Sequence, residues 1–423
     1  MRFKVEEKIK VMVISDHPLS PSGVGIQTKY MIESILATGK FKVLCLGGAV
    51  KHQNYEPILV EGYDDDWMII PVDGYGTQDM VRSMLANHKP DILWFMTDPR
   101  FYEWLWGMEN EIRSNVPMVY YHVWDNYPLP DFNKKYYDSN DVIVSISKLT
   151  DDVVRKVAPD VDCRYLPHAV DNKIFKPFYN PKVREVREKL TDGKEKFVVF
   201  WNNRNARRKQ SGSLIFWFKD FLDKVGHDKA TLVMHTDPND PNGQDLQAIL
   251  EKLGLVNGEV IISVQKVSPE DMAILYNACD CVINISDAEG FGLSTLEAMS
   301  CGKPIIVNKT GGLSSQMSEE FEAGFFIEPA SKAVIGSQNV PYIYEDRLAS
   351  EDVVSALEDM FILWTKDEVA YKEMCRAALK NVKKNFNFDE LKEKWAEIML
   401  DVHEKYGSWE NRKNYKHYKL YEF

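Results

Sequence analysis

The sequence lacks the features that mark several classes of protein. Its 423 residues include six cysteines, at spacings that match neither a disulfide framework nor a zinc site, so we expect free thiols in a reducing compartment. No stretch approaches the roughly 20 consecutive apolar residues that a membrane-spanning helix needs. Residues 1–10 are charged and lack the apolar core of a signal peptide. These absences together predict a cytoplasmic protein.

An excess of positive charge is also missing. The chain has 52 basic and 64 acidic residues and a net charge of −12, which argues against a general nucleic-acid-binding protein, since such proteins need a basic face. Internal repeats and low-complexity tracts are absent as well. The length instead predicts two or three domains, each large enough to bury a hydrophobic core.

Short apolar runs alternate with helical patterns along the whole chain. This alternation predicts an α/β protein with parallel sheets and helices on both faces. The first unit, a strand at residues 11–14, a glycine-containing loop and a helix from residue 26, is typical of a nucleotide-binding fold. The predicted strands lie at residues 11–14, 41–46, 91–96, 116–121 and 141–145 in the first half, and at 195–201, 230–235, 260–264, 281–286 and 304–307 in the second.

The most informative stretch is residues 287–297, DAEGFGLSTLE, between a buried strand and a helix. Gly290 and Gly292 make it a glycine-bearing turn, where free backbone N–H groups and the positive end of the helix dipole suit a phosphate. Glu289 lies on the turn and Glu297 about two helical turns further on. One carboxylate can hold a sugar hydroxyl and the other a ribose hydroxyl. On spacing alone, two solvated carboxylates explain the pattern equally well.

The same stretch resembles the donor-site signature of retaining glycosyltransferases of the GT-B fold, family 4. The likeness rests on the two acids, the two glycines and the Leu-Glu-Ala-Met run of EGFGLSTLEAM, followed by Gly302-Lys-Pro304 and Gly311-Gly312 in the family's order. It implies two Rossmann-like domains that face each other across a cleft. The implied divisions are an acceptor domain at residues 1–178, a nucleotide-sugar donor domain at 179–388, and a crossover helix and tail at 389–423 that pack on the first domain.

A basic cluster follows the first strand of the second half. Arg204 and Lys209 keep the spacing of the family's Gly-Arg-x4-Lys, with Asn203 in place of the glycine. The resemblance therefore implies that both hold the donor diphosphate, since arginine grips two phosphate oxygens and lysine acts as a point charge. A solvated basic loop and a nucleic-acid patch are the alternatives. The neighbouring Arg207 and Arg208 have no role in this interpretation.

The resemblance implies further site residues on both domains. Catalytic roles are implied for Glu289 on the sugar, His122 near the transferred sugar, and Arg204 and Lys209 on the phosphates. His122 follows a strand end, and ordinary packing explains a histidine there equally well. The implied donor contacts are Gly23, Gly25, Gly290, Phe291, Gly292, Leu293 and Glu297.

The implied activity is transfer of a hexosyl unit from a UDP- or GDP-sugar to a hydroxyl acceptor with retention of configuration. No Asp-x-Asp motif stands at a strand end, so we expect neither a metal nor another cofactor. The acceptor is a glycan, a lipid-linked group, a small molecule or another hydroxyl compound, and a lipid-linked acceptor would bring peripheral membrane contact. A nucleotide-sugar epimerase, a non-catalytic sugar-nucleotide-binding subunit and a lectin-like module stay open as alternatives. Residues 330–347 are longer than in the family and have no assigned role.

Overall fold

The protein is built around two parallel β-sheets, each covered by helices. The computed structural model describes residues 7–318 and 320–415, so part of the predicted tail, residues 416–423, lies outside the described residues, as do residues 1–6 of the first predicted domain. The predicted boundary at 178/179 falls between the last strand of the first sheet and the first helix of the second half.

The first sheet has eight strands in the order β3-β4-β2-β1-β5-β6-β7-β8, and every pair is parallel except β3 with β4. Its strands are β1 (Ile9–Asp16), β2 (Phe41–Gly48), β3 (Ile58–Leu59), β4 (Trp67–Pro71), β5 (Ile92–Thr97), β6 (Met118–His122), β7 (Val142–Ser145) and β8 (Asp162–Tyr165). The helices between them are α1 (Gly23–Leu36), α2 (Gln78–His88), α3 (Glu103–Trp106), α4 (Glu109–Arg113), α5 (Lys134–Asp138) and α6 (Lys148–Val157).

The second sheet has six parallel strands in the order β11-β10-β9-β12-β13-β14. Its strands are β9 (Phe197–Asn202), β10 (Ala230–His235), β11 (Val260–Ser263), β12 (Cys281–Asn284), β13 (Ile305–Asn308) and β14 (Gly324–Ile327), and a separate antiparallel hairpin consists of β15 (Ser331–Ile335) and β16 (Ile343–Arg347). The helices are α7 (Pro181–Thr191), α8 (Ser211–Val225), α9 (Leu246–Leu253), α10 (Pro269–Ala278), α11 (Leu293–Ser300), α12 (Ser350–Lys366), α13 (Glu368–Asn385) and α14 (Phe388–Tyr406).

The central strands are the apolar runs that the sequence predicts. β5, β6, β7 and β12 are buried along their whole length, because helices cover both faces of a parallel sheet. A serine and a proline begin helix α10. The Ser268 side chain accepts a hydrogen bond from the Asp271 N–H, and Pro269 is the first residue of α10, as expected of a serine N-cap followed by proline.

Helix α14 returns to the first domain, as the resemblance implies. Its first residue, Phe388, packs edge-on against Tyr30 of α1, with ring centroids 4.7 Å apart. Further along, Trp395 lies against Trp94 of β5 and Tyr121 of β6. Burial of several aromatic rings at this contact ties the end of the chain to the first sheet.

The cysteines and the helices are the features that bear on the expected thiol state and on membrane spanning. All six cysteines fall in the described residues and are free thiols. Of the helices within residues 7–318 and 320–415, none combines the length and the apolar character that crossing a membrane requires.

Candidate functional site

Three charged side chains meet where the basic segment after β9 faces the loop after β12. The Lys209 ammonium donates a hydrogen bond to the Glu289 carboxylate, and Arg208 Nη1 lies 3.6 Å from the same carboxylate oxygen. The Lys209 and Glu289 side chains are only 10% and 12% exposed. Glu289 is therefore a nearly buried anion held by two cations from a neighbouring strand end.

The backbone of the two segments holds this cluster in place. Residues Arg207–Lys209 form a single 3-10 turn, and the carbonyl oxygen of Arg208 accepts a hydrogen bond of 2.8 Å from the Asp287 N–H. In return, Arg208 Nη1 donates to the Ala288 carbonyl at 2.6 Å. Because each segment bonds to the backbone of the other, the distance between the lysine and the glutamate is fixed by the fold.

The two glycines after β13 allow the loop to pack this closely. The Gly312 N–H donates to the Glu289 carbonyl at 2.7 Å. A Cβ on Gly311 would lie 2.2 Å from the carbonyl oxygens of both Glu289 and Asp125, and one on Gly312 would lie 2.1 Å from the Gly290 carbonyl oxygen. No larger residue fits at either position without displacing backbone. This requirement explains the Gly-Gly pair that the sequence shows.

The local charges decide the ionisation state of Glu289. Burial raises the pKa of this carboxyl group, but the charges of Lys209 and Arg208 and the hydrogen bonds from Lys209 and Ser286 outweigh it. The net effect is a pKa below the usual value for glutamate. The group is consequently an ionised hydrogen-bond acceptor at neutral pH.

The first turn of α11 lies directly after Glu289. Gly292 is its N-cap, with φ of +92°, a left-handed conformation that favours glycine. Among the residues that the structure describes, none accepts a hydrogen bond from the N–H of Gly292 or of Leu293. These two unpaired donors and the positive helix end form a suitable site for an anion.

The first domain closes against this turn. A Cβ on Gly23 would lie 2.9 Å from Leu293 Cδ1, and one on Gly290 would lie 3.1 Å from Asp125 Oδ1. Asp125, which follows β6, also lies 3.6 Å from Arg208 Nε. The structure thus brings together six of the predicted site residues in one interdomain region: Gly23, Lys209, Glu289, Gly290, Gly292 and Leu293.

Glu297 lies on α11 and bonds to a neighbouring tyrosine. Its carboxylate accepts a hydrogen bond of 2.6 Å from the Tyr276 hydroxyl, which itself accepts one from Asn202 Nδ2 at 3.0 Å. Burial raises the pKa of Glu297 to about 7, and the Tyr276 hydrogen bond opposes the rise. Asn202 is the last residue of β9, so Glu297 lies near the same strand ends as Lys209.

Arg204 is not part of the cluster. Its guanidinium pairs with Asp240, at 2.5 Å for the closest atoms, and its side chain is 64% exposed. The prediction that Arg204 and Lys209 together hold the diphosphate places them side by side, whereas in the structure Arg204 is engaged with Asp240 instead. Arg208 is the arginine that accompanies Lys209 at Glu289.

His122 is also displaced from the predicted role. Its imidazole is fully buried, and its two nitrogens contact the hydroxyls of Tyr120 at 3.1 Å and Tyr137 at 2.8 Å. Burial lowers the pKa of His122 to about 3, so the ring is neutral. With both nitrogens occupied inside the first domain, this histidine has no free atom for a sugar.

Two of the predicted donor contacts also have other partners. The Gly25 N–H donates to the Ser22 hydroxyl at 2.9 Å, so it caps its own helix and is not free for a ligand. The ring of Phe291 packs against His168 and Phe386 and is buried. Its role in the structure is packing between the domains.

The sequence did not identify Arg208 as a site residue. Arg207, Arg208 and Lys209 are consecutive, and in a 3-10 turn successive side chains point in different directions. Spacing from a strand therefore cannot tell which arginine faces Glu289. Arg207 instead pairs with Glu345 of β16.

The described residues contain no cluster of three or more histidine, cysteine, aspartate or glutamate side chains placed to hold a metal ion. The expectation of metal independence stays a prediction.

Residues 182–359 match the family model "Glycosyl transferases group 1". The D-inositol 3-phosphate glycosyltransferase of Paenarthrobacter aurescens is 28% identical over 172 residues, or 40% of each chain. The trehalose synthase of Pyrococcus horikoshii is 25% identical over 220 residues, or 52% of this chain and 47% of the relative. The matches thus span less than half the length of these relatives.

Solved structures resemble the whole chain. A sucrose-phosphate synthase from Thermosynechococcus elongatus has a TM-score of 0.73 at 16% identity, and the match covers 94% of this chain and 100% of that one. HepE from Anabaena, in complex with UDP and glucose, has a TM-score of 0.68 at 16% identity, covering 93% and 100%. The predicted GT-B architecture is confirmed, and the comparisons together support a likeness to group 1 glycosyltransferases.

Proposed function

We propose that this chain is a retaining glycosyltransferase of family 4 that transfers a hexosyl unit from a UDP- or GDP-sugar to a hydroxyl acceptor. One observation carries the proposal: the buried Glu289 carboxylate is paired with Lys209 and Arg208 beside the free N–H groups of Gly292 and Leu293. Cations and oriented amides suit a diphosphate, and a carboxylate next to them suits the hydroxyls of an attached sugar.

In the proposed reaction, the bond between the sugar and the diphosphate breaks and negative charge grows on the leaving phosphate oxygens. Lys209, Arg208 and the two amides stabilise this charge, and a well-placed donor of this kind contributes about 3–4 kcal/mol to catalysis. Glu289 holds the sugar through its hydroxyls, and Glu297 holds the ribose. The acceptor oxygen bonds to the sugar carbon that the diphosphate leaves, and the leaving phosphate takes the proton of the acceptor hydroxyl. This arrangement permits retention without an enzymic nucleophile.

Several findings support the donor class. The match to the group 1 family model covers the residues of the proposed donor site. Structural relatives include complexes with UDP-glucose and UDP-2-fluoro glucose. UDP-glucose is accordingly the first donor to test, with GDP- and ADP-sugars beside it.

The acceptor is proposed to bind on the first domain. We place the acceptor against the ends of the first-domain strands, near Asp125, because the donor groups all come from the second domain. Its class is a glycan, a lipid-linked group or a small hydroxyl compound. We also propose that the protein acts in the cytoplasm without a metal, with peripheral membrane contact if the acceptor is lipid-linked.

Product analysis tests the proposal. The purified chain is first screened against UDP-, GDP- and ADP-sugars by thermal shift, and donors that bind are incubated with candidate acceptors. The proposal predicts free nucleotide and a glycosylated acceptor, and a Glu289→Gln variant should lose most of the turnover. Glu328→Gln is the matched control, because Glu328 pairs with Lys309 on the surface and its side chain is 71% exposed.

Other products would contradict the proposal in distinct ways. A changed sugar still attached to its nucleotide indicates an epimerase. Binding without turnover for every donor and acceptor indicates a non-catalytic sugar-nucleotide-binding subunit. No binding of any nucleotide sugar leaves a lectin-like or structural module.

A further inference from the structure

Gln316 is a fully buried glutamine behind the first turn of α11. Its Nε2 donates hydrogen bonds of 2.8 Å to two consecutive carbonyl oxygens, those of Phe291 and Gly292. Its Oε1 lies 2.7 Å from the Thr295 hydroxyl. One side chain thereby bonds to both carbonyl groups of the turn that carries the proposed phosphate donors. The Gly292 carbonyl also accepts from the Leu296 N–H at 3.3 Å and lies 2.7 Å from the Thr295 hydroxyl.

The orientation of this amide follows from its partners. Carbonyl oxygens only accept hydrogen bonds, so the NH₂ group must face Phe291 and Gly292. The remaining oxygen then faces a hydroxyl that can donate. The backbone of Gln316 is fixed as well, because Asn381 Nδ2 donates to its carbonyl at 2.6 Å.

A trans peptide unit links these carbonyls to the N–H groups of the next residues. In such a unit, C=O and N–H point in opposite directions. The Phe291 carbonyl shares its peptide plane with the Gly292 N–H, and the Gly292 carbonyl with the Leu293 N–H. When Gln316 holds both oxygens on one side, it turns both N–H groups to the other side, where they have no described partner.

We propose that Gln316 is a positioning residue that fixes the two amide donors of the proposed diphosphate site. The inference rests on the proposed function, because it assigns those amides to the leaving phosphate. Gln316 itself touches no substrate. It acts through the orientation of two peptide planes, and the precision of such donors determines how well they stabilise developing charge.

A glutamine is needed here for its two hydrogens. A glutamate of the same shape donates one hydrogen when neutral and none when ionised, so at least one carbonyl would lose its hydrogen bond from position 316. Gln316→Glu therefore changes the hydrogen bonding without creating a cavity. Its effect should appear as poorer binding of the diphosphate and slower turnover.

Asn140 offers a matched control in the first domain. Its side chain is also buried, and its Nδ2 also donates to two consecutive carbonyl oxygens, those of Tyr136 at 2.7 Å and Tyr137 at 3.3 Å. Asn140→Asp therefore removes the same kind of contact outside the site. Both variants should lower the midpoint of thermal unfolding, and this shared loss does not separate a positioning role from a structural one.

The two variants should differ in binding and catalysis. Removal of one oriented donor of this type lowers kcat by about 100-fold or more. We expect Gln316→Glu to lower kcat at least tenfold and to weaken UDP binding, and Asn140→Asp to leave both at the wild-type value. Equal kcat and UDP affinity in Gln316→Glu and the wild type, or equal losses in the two variants, would overturn the inference.

Hydrogen exchange without ligand separates this inference from the proposed function. The Leu296 N–H bonds to the Gly292 carbonyl at 3.3 Å, so a turn that Gln316 no longer holds should open more often and exchange faster at Leu296 in Gln316→Glu, and not in Asn140→Asp. If the wild type binds no nucleoside diphosphate, the proposed function fails and the exchange result still decides whether Gln316 positions the turn. Unchanged exchange at Leu296 would contradict the positioning role in either case.

Discussion

At the scale of single residues, Lys209 and Glu289 are chemically useful because each is nearly buried and each neutralises the other. Because these two charged groups are largely removed from water, their contact offsets the free-energy cost of that desolvation. A bound diphosphate would form ion pairs with the cations, and the sugar hydroxyls would donate hydrogen bonds to the Glu289 carboxylate. Arg208 extends the pair to Asp125 of the other domain.

Arg208 and Arg204 should differ in their contribution to nucleotide-sugar affinity. Arg208→Met should weaken nucleotide-sugar binding about tenfold, since a hydrogen bond to a charged group contributes about 1.5–3 kcal/mol and 1.4 kcal/mol is tenfold in affinity. Arg204→Met should leave the affinity unchanged, because Arg204 pairs with Asp240 at the surface. Calorimetric titration of both variants measures the difference. A loss confined to Arg204→Met would restore the assignment made from sequence spacing.

Glu297 should make donor binding depend on pH. Its pKa of about 7 is raised by burial, so the carboxyl group is neutral in acid and becomes an ionised acceptor for a ribose hydroxyl as the pH rises. Affinity for a nucleotide sugar should therefore increase between about pH 6 and pH 8. A nucleotide sugar is the correct probe, since a terminal phosphate itself titrates near pH 6.

The same shift predicts the opposite trend for stability. A carboxyl group with a raised folded-state pKa stabilises the fold at low pH, and this contribution is lost as the pH rises from about 4.3 through the folded value of about 7. Glu297→Gln should remove both trends. A Glu297→Gln protein whose affinity still rises with pH like the wild type would exclude Glu297 as the titrating group.

At the scale of elements, the β15–β16 hairpin joins the two domains. Asn126 of the first domain donates to the Asp346 carboxylate at 2.8 Å and to the Tyr344 carbonyl at 3.3 Å. Tyr342 packs edge-on against Phe132. On its other side the hairpin binds the site loops, because the Asp346 N–H donates to the Asp287 carbonyl at 2.7 Å. Residues 330–347, which have no assigned role from the sequence, thus contact both the first domain and the loop that carries the site.

Removal of the Asn126 side chain should loosen this connection. Asn126→Ala leaves the Asp346 carboxylate with one fewer donor, and we expect a loss of about 1–3 kcal/mol in stability and a larger radius of gyration in solution scattering. Asn87→Ala on α2 is the control, since the Asn87 side chain bonds only to Ser83 of its own helix among the described residues. Scattering and unfolding curves for Asn126→Ala that match those of Asn87→Ala would contradict the role of the hairpin.

The elements differ in how far the sequence predicts them. Buried strands such as β5 and β12 are continuous apolar runs, so the hydrophobic pattern alone is enough to predict them. The strands of the hairpin are not continuous apolar runs, since β15 is mostly exposed and the buried residues of β16 are Glu345 and Asp346. Their position depends on contacts with Asn126 and Phe132 more than 190 residues earlier in the chain. The local sequence pattern contains no information about such long-range contacts. The same limit explains His122, whose partner Tyr137 lies on a helix that the sequence did not indicate.

At the scale of the whole molecule, the proposed donor groups come from the second domain and the first domain packs against them. Helix α14 returns to the first sheet, and Gly23 meets Leu293 across the interface. The GT-B architecture could be predicted because the Gly and Glu spacing of residues 289–312 is fixed by close backbone packing, as at Gly311 and Gly312. The direction of each side chain, which distinguishes Arg204 from Arg208, could not be predicted from the sequence.

The proposed metal independence concerns the complete catalytic unit. With two cations and two amides available for the leaving phosphate, activity should persist in the presence of a chelator. The measurement is the rate of nucleotide release with and without excess EDTA, with added Mg²⁺ as the reverse test. A rate that falls to background with EDTA and returns with Mg²⁺ would contradict the proposal.

The most direct test of the central claim is calorimetric titration of a nucleotide sugar into the wild type, Lys209→Met and Lys309→Met. Lys309 is the matched control because it pairs with Glu328 at the surface, and circular dichroism verifies that all three proteins are folded. If the diphosphate lies against Lys209 and the first turn of α11, Lys209→Met should lose at least about tenfold in affinity while Lys309→Met binds like the wild type. Wild-type affinity in Lys209→Met would show that the diphosphate does not bind there.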